Sequence, residues 1–164
     1  MQKFFCVIDK ILTDLCKGVS ILLLTTMSIV TFIEVIRRYT FGFSFAWAEE
    51  LVRFFLVWLT FIGGSLALRT KNLVFFDLFI GKLSIKKNFL VCVCLDIVIV
   101  FFVSYLLLLS RGFIFQKSIL LQRSPGLEVP MIYVYIAIPI GCFFMLFFSI
   151  FDLFERIKVL KELK

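Results

Sequence analysis

The sequence predicts an all-α, polytopic membrane protein with four transmembrane helices and an N-terminal amphipathic helix at the membrane interface. Hydrophobic residues make up 62% of the 164 residues, against roughly 45–50% in soluble domains. The mean hydropathy is +1.10. The 18 basic and 11 acidic residues lie in short stretches between long apolar runs, as in helices that cross a bilayer. A soluble enzyme domain and a disordered chain are excluded, because too few polar residues are present to cover a surface facing water.

The composition also limits the chemistry that the chain can perform. It contains no histidine, which removes most zinc, haem and histidine-based acid–base sites. Its five cysteines are expected to pack as small apolar residues; they are Cys6, Cys16, Cys92, Cys94 and Cys142. We therefore expect no catalytic residue, no metal and no cofactor. The net charge of +7 fits basic cytoplasmic loops next to lipid, and we expect no nucleic-acid partner.

Residues 4–17 are predicted to form the interfacial helix. Apolar residues recur at helical spacing, and Asp9, Lys10, Asp14 and Lys17 fall on the other side, as in a helix lying on a membrane surface. A signal peptide is the alternative. It fits poorly, because the apolar run after Lys17 is long and lacks a cleavage site of small residues.

Four predicted spans follow, over residues 18–36, 47–68, 88–110 and 130–151. Each is close to the ~20 residues that a bilayer requires. Pro130 suits the first turn of the fourth span, and Pro139 is predicted to kink it. The apolar segment 73–83 is too short to span and is predicted to lie along the cytoplasmic interface.

The distribution of basic residues predicts the orientation. The N-terminal segment, the loop between spans 2 and 3 and the C-terminus hold 12 of the 18 lysines and arginines, and the other two loops hold five. The loops rich in lysine and arginine face the cytoplasm. Both termini are therefore expected on the cytoplasmic side of the membrane.

The densest polar cluster begins span 2, next to Trp47. Glu49 and Glu50 precede Arg53 by four and three residues, so either can meet it on one helical face. The cluster is a proton relay or substrate clamp, or else an ion pair at the helix start that neutralises Arg53 as it enters lipid, or an ion pair to a partner helix. Glu34, near the end of span 1, is predicted as a further partner of Arg53. The alternative is that Arg37 or Arg38 takes Glu34 through local spacing.

Further candidates lie deeper in the spans and in the last loop. Small residues four apart in span 2 predict close helix packing, with a ligand cavity as the alternative. Asp96 is an isolated acid in span 3, which is either functional or hydrogen-bonded to a neighbouring helix. The segment Ser124, Pro125 and Gly126 predicts an outward-facing turn, either functional or a plain connector. The remaining candidates for structural or interface roles are Trp58, Gly63, Gly64 and Arg69.

Three stretches in this order resemble the small membrane subunit, of the DctQ type, of tripartite ATP-independent periplasmic (TRAP) transporters. The resemblance covers most of the chain. The first stretch holds Trp47, Glu49, Glu50, Arg53 and Trp58; the second is 61–69 followed by Asp77; the third is 124–130 leading to 138–141.

The resemblance implies a fixed scaffold subunit with two protein partners. A large membrane subunit would carry the substrate and sodium sites, and a periplasmic substrate-binding protein would deliver an organic acid such as a C4-dicarboxylate or sialic acid. Contacts with the large subunit and with lipid would be made in the bilayer. The competing interpretations are a stand-alone four-helix exporter of small molecules or ions and a membrane-embedded enzyme. An exporter of this size requires an acid in the middle of span 1, whereas Glu34 lies at its end.

Overall fold

A computed structural model describes residues 2–43, 45–70 and 85–162, and within them the chain forms six α-helices and no strand. They are α1 Gln2–Phe41, α2 Ala46–Thr70, α3 Ile85–Ile114, α4 Lys117–Leu121, α5 Ile132–Tyr135 and α6 Ala137–Glu162. Among the described residues, four stretches are long and apolar enough to cross a bilayer: Val7–Phe41, Ala46–Thr70, Val93–Ile114 and Ile132–Phe154. The predicted all-α class with four spans is thus confirmed. The predicted interfacial segment 73–83 lies outside the described residues.

The first helix differs from its prediction. Residues 4–17 continue into the first span without a break, so a separate interfacial helix is not confirmed. The predicted polar side is also wrong at Asp9, which is buried, whereas Ile11 and Leu15 are more than half exposed. Periodicity identifies the two sides of a helix but not the medium that each side faces. Here Asp9 points at another helix, whereas Ile11 and Leu15 of the apolar side point outward.

The side of α1 that packs inside the molecule repeats every seven residues. Asp9, Cys16 and Leu23 are buried, and Val30 and Arg37 are half-buried. A seven-residue repeat keeps one seam of a helix against its neighbour when the two cross at a shallow angle. This seam contacts α2 along the helix pair.

The four long helices pack in the spatial order α1–α2–α6–α3, since α2 contacts α1 and α6, and α6 contacts α2 and α3. Near the middle, Cys16, Ile62 and Phe148 form a buried cluster that joins α1, α2 and α6. We call the end of the bundle where α1 begins and α2 and α6 end the terminal end. The opposite end, with the connections 42–45 and 122–131, is the loop end.

The fourth span is broken near its start. α5 ends at Tyr135, Ile136 lies between, and α6 begins at Ala137. Pro139 has no N–H to donate to the carbonyl of Tyr135, and its ring crowds that carbonyl, so the irregularity precedes the proline by three residues. Beside it, the indole N–H of Trp58 donates to the carbonyl oxygen of Tyr133 at 3.1 Å. The helix is thus interrupted three residues before Pro139, and the kink predicted at Pro139 stays a prediction.

Many large apolar side chains point outward. Phe101, Phe102 and Leu108 of α3 are more than half exposed, as are Leu22 and Phe32 of α1. A surface of this composition is stable against lipid and not against water. The exposed faces of α1 and α3 thus have the composition expected of the lipid-facing sides of spanning helices.

Candidate functional sites at the two ends of the bundle

At the terminal end, one arginine joins three helices. Arg69 of α2 donates from Nε and Nη2 to the two carboxylate oxygens of Asp9 in α1, at 2.9 and 2.8 Å. Its Nη1 donates to Oδ1 of Asp152 in α6 at 2.5 Å. The Phe151 ring lies 5.1 Å from the guanidinium carbon. The side chains of Arg69, Asp9 and Asp152 are 19%, 11% and 9% exposed, so this is a nearly buried ionic cluster.

The geometry of Arg69 explains why the cluster uses arginine. A planar guanidinium can hold one carboxylate with two parallel hydrogen bonds and still donate to a second. A lysine ammonium would act as a single point charge. Arg69 was a sequence candidate, but Asp9 and Asp152 were not identified as its partners. They lie 60 and 83 positions away in sequence, and no local spacing indicates the contact.

At the loop end, Glu50 of α2 anchors the segment between α4 and α5. Its carboxylate accepts a very short hydrogen bond from the Ser124 hydroxyl and bonds of 3.0 Å from the backbone N–H groups of Gly126 and Leu127. Glu50 therefore fixes a loop 74 to 77 positions later in the chain. Two of the predicted candidate stretches, the start of span 2 and the Ser124–Gly126 turn, meet here.

The anchored loop is closed on itself. The N–H of Ser124 donates to the Val129 carbonyl, and the N–H of Met131 donates to the Gln122 carbonyl, both at 3.0 Å. Pro125 lies in the exposed turn, which confirms the turn predicted there. A Cβ on Gly126 would lie 2.9 Å from the Glu50 carboxylate and 3.2 Å from the backbone carbon of Ala46. Only glycine permits so close an approach.

Glu34 pairs locally with Arg37 and not with Arg53. Its carboxylate accepts the backbone N–H of Phe45 at 2.6 Å and lies 3.7 Å from Arg37. The Arg37 guanidinium stacks 3.3 Å above the Phe45 ring, a cation–π contact that also shields it. Phe45 stacks in turn on Trp47. Glu34 thus caps the turn between α1 and α2.

Arg53 does not form the predicted pair with Glu34. Arg53 and Glu49 are both exposed on α2, and within the described part of the chain Arg53 forms no ion pair within 4.0 Å. The predicted ion pairs of Arg53 with Glu49 or Glu50 are also not formed there. Glu50 is turned toward the 124–127 loop, where three donors satisfy its carboxylate.

Small residues do bring two helices close, although not all of those predicted. A Cβ on Gly141 of α6 would lie 2.3 Å from Cβ and 3.0–3.1 Å from backbone atoms of Phe61 in α2. A Cβ on Gly64 would lie 2.8 Å from Cε of Met145. A Cβ on Gly63 would meet only Leu59 of its own helix, at 4.0 Å. The α2–α6 contact therefore uses Gly64 and Gly141, and Gly63 takes no part.

Asp96 and the described cysteines lie within the long helices. Asp96 is 7% exposed in α3, so the acid predicted to be inside span 3 is buried against protein. Cys16 and Cys142 are fully buried, as expected of small packing residues, whereas Cys94 is exposed. The polar contacts of Arg69 join helices that are distant in sequence, and those of Glu50 join α2 to the distant 124–127 loop. These contacts hold the helices in fixed register.

Comparisons with known proteins place these features in a family. The sequence model of the DctQ component of tripartite ATP-independent periplasmic transporters matches residues 27–159. The matched region contains Glu34, Glu50, Arg69 and the 124–130 loop.

Three relatives are named as TRAP transporter permease proteins. The chain is 32% identical over 107 residues to the C4-dicarboxylate TRAP transporter small permease protein DctQ of Rhodobacter capsulatus, covering 65% of this chain and 47% of the relative. It is 38% identical over 76 residues to a putative TRAP transporter small permease protein of Haemophilus influenzae, covering 46% and 45%. It is 20% identical over 113 residues to the isethionate TRAP transporter permease protein DctMQ of Oleidesulfovibrio alaskensis, covering 69% and 18%. The matches thus span just under half of the first two relatives.

Proposed function

The chain belongs to the DctQ family of TRAP transporters, and we propose that it is the small membrane subunit that holds a large transport subunit in place. The complete system would take up an organic acid, coupled to sodium. A periplasmic binding protein would capture the acid and deliver it to the large subunit. The small subunit would provide a fixed frame in the inner membrane, with both termini in the cytoplasm.

The observation that carries this proposal is the way the chain uses its polar side chains. Arg69 ties α1, α2 and α6 together at one end, and Glu50 ties α2 to the 124–127 loop at the other. A frame requires helices locked at both ends, whereas a moving transport element requires contacts that can be exchanged. These charge-assisted bonds therefore support a static role.

The relatives support the partner and the class of substrate. The DctMQ permease matches over only 18% of its length, so it carries a segment similar to this chain inside a much longer permease. A segment fused to a permease in one organism is well suited to bind a separate one in another. Two relatives are named for C4-dicarboxylate and isethionate, which are both organic acids. An organic anion is accordingly the substrate class that we propose.

Reconstitution tests the proposal. Proteoliposomes would contain this chain with the large permease of its transport system, and the loaded binding protein would be added outside. We expect uptake of a radiolabelled organic acid that requires all three proteins and an inward sodium gradient, with potassium in place of sodium as the control. The chain alone should show no uptake. Robust transport by the chain alone would overturn the scaffold role and favour the stand-alone exporter.

A further inference from the structure

One side of α2 is left uncovered by the other residues that the structure describes. From Ala48 to Thr70, the exposed positions of this helix are Glu49, Arg53, Leu56 and Thr60. Their spacing of four, three and four residues keeps them on one side of the helix. The same spacing continues to the half-buried Gly63 and Ala67. We call these six residues the α2 stripe.

The composition of the α2 stripe does not suit lipid. Three of its four exposed residues are charged or hydroxylated, whereas the exposed face of α3 carries bulky apolar residues such as Ile97, Phe101 and Leu108. A charged side chain in a spanning helix faces a partner or a water-filled space, because its exposure to hydrocarbon is costly. Arg53 lies about 10 Å along the helix from Ala46 at 1.5 Å per residue, within the predicted span.

The α2 stripe also borders a groove. A cavity between α1 and α2 at the loop end is lined by Thr31, Val35 and Arg38 from α1 and by Glu49 and Val52 from α2. The groove is therefore bounded by two helices, and an elongated ligand such as a helix could contact both. Toward the terminal end, Gly63 has open space where a Cβ would be. Small residues on a free helical face allow a second helix to approach closely in a membrane.

We propose that a transmembrane helix of the large permease packs along the α2 stripe, with an acceptor oxygen such as a carboxylate facing Arg53. The backbone of the partner helix would approach α2 at Thr60, Gly63 and Ala67. This inference rests on the proposed function, and it assigns the contact to α2 instead of the apolar face of α3. The charge of Arg53 selects a helix that carries an acid at that depth, which lipid-facing helices lack.

Two glycines of the same chain give a matched test. A Cβ on Gly63 meets only its own helix at 4.0 Å, and a Cβ on Gly112 of α3 meets nothing within 4 Å, so Gly63→Leu and Gly112→Leu should both leave the isolated chain folded. We expect Gly63→Leu to lower co-purification of the large permease in detergent by roughly tenfold or more, as expected for a blocked helix contact. Gly112→Leu should have no effect. Arg53→Gln should also weaken the complex, and Arg53→Lys should restore part of it.

A second measurement does not depend on a destabilising change. A photo-crosslinking amino acid at position 60 should capture the co-expressed large permease, and one at position 101 should not.

Unchanged co-purification and no capture at position 60 would overturn this inference while the intact complex still supported the proposed function. Failure of the wild-type chain to co-purify with any large permease would instead reject the function itself. Self-capture at position 60 would assign the stripe to a second copy of this chain. An effect of Arg53→Gln without one of Gly63→Leu would confine the contact to the Arg53 end and overturn the close approach at Gly63.

Discussion

Arg69 and Asp9 share two parallel hydrogen bonds of 2.8 and 2.9 Å across the α1–α2 interface, although they lie 60 positions apart. The second carboxylate, on Asp152, binds the remaining edge of the same guanidinium. A helix-to-helix contact of this kind fixes three helices with one side chain. It also makes the terminal end sensitive to the loss of a single positive charge.

We expect Arg69→Gln to destabilise the chain by about 3–5 kcal/mol, because removing one partner of a buried ion pair leaves uncompensated charge. Unfolding in mixed detergent micelles measures this loss. Arg69→Lys should recover part of the stability, since it keeps the charge but not the paired bonds.

The control for Arg69 is Lys17→Gln. Lys17 and Asp14 form an exposed pair at 4.0 Å, which should contribute about 0–1 kcal/mol. If Arg69→Gln cost no more than Lys17→Gln, the cluster at the terminal end would not hold the helices.

Glu50 and Ser124 provide the second prediction. Glu50→Gln and Ser124→Ala should each destabilise the loop, and the two losses should not add, because contacting residues couple by about 0.5–3 kcal/mol. Hydrogen exchange should be faster at the amides of Gly126 and Leu127 in the Glu50→Gln variant, since both donate to that carboxylate. Glu49→Gln is the control in the isolated chain, and equal exchange in both variants would contradict the anchor.

The third prediction concerns close packing of α2 and α6. Gly141→Ala places a Cβ against backbone atoms of Phe61, which cannot move aside, and should cost about 1–3 kcal/mol. Gly64→Ala meets the flexible end of Met145 and should cost less. Gly63→Ala should be close to neutral in the isolated chain. Thermal unfolding of the three variants should therefore rank them in this order, and a neutral Gly141→Ala would refute the contact.

The fourth prediction separates the partners of Glu34. A double-mutant cycle of Glu34→Gln with Arg37→Gln should show coupling, because the carboxylate and guanidinium lie 3.7 Å apart. The cycle of Glu34→Gln with Arg53→Gln should be additive within about 0.3–0.5 kcal/mol. Coupling in the second cycle alone would restore the pair that the sequence predicted.

The fifth prediction is the orientation in the membrane. Single cysteines in place of Lys164 and Glu128, in a variant without the native cysteines, would be exposed to a membrane-impermeant thiol reagent in spheroplasts. Glu128 lies in the exposed loop at the loop end, so we expect labelling at position 128 only. Labelling at position 164 with none at 128 would invert the orientation.

Several features could be read directly from the sequence. The four spans follow from runs of apolar residues whose length matches a bilayer, because hydrocarbon admits few backbone arrangements other than a helix. Pro139 lies three residues after the interruption at Ile136, and a missing N–H acts within its own helix. The Ser124–Gly126 turn also depends only on neighbouring residues. Glu34 and Arg37 are three residues apart, and local spacing offered this pair as the alternative that the structure selects.

Only the tertiary structure decided which side of each helix faces another. Asp9 was expected on a water-facing side, yet it is buried against Arg69. Gly63 and Gly64 are adjacent and identical in sequence, yet only Gly64 meets α6. Glu49 and Glu50 differ in the same way, since only Glu50 reaches the 124–127 loop. The reason is rotational: successive residues of a helix point about 100° apart, and the facing direction is set by partners 60 or more positions away, which local periodicity does not encode.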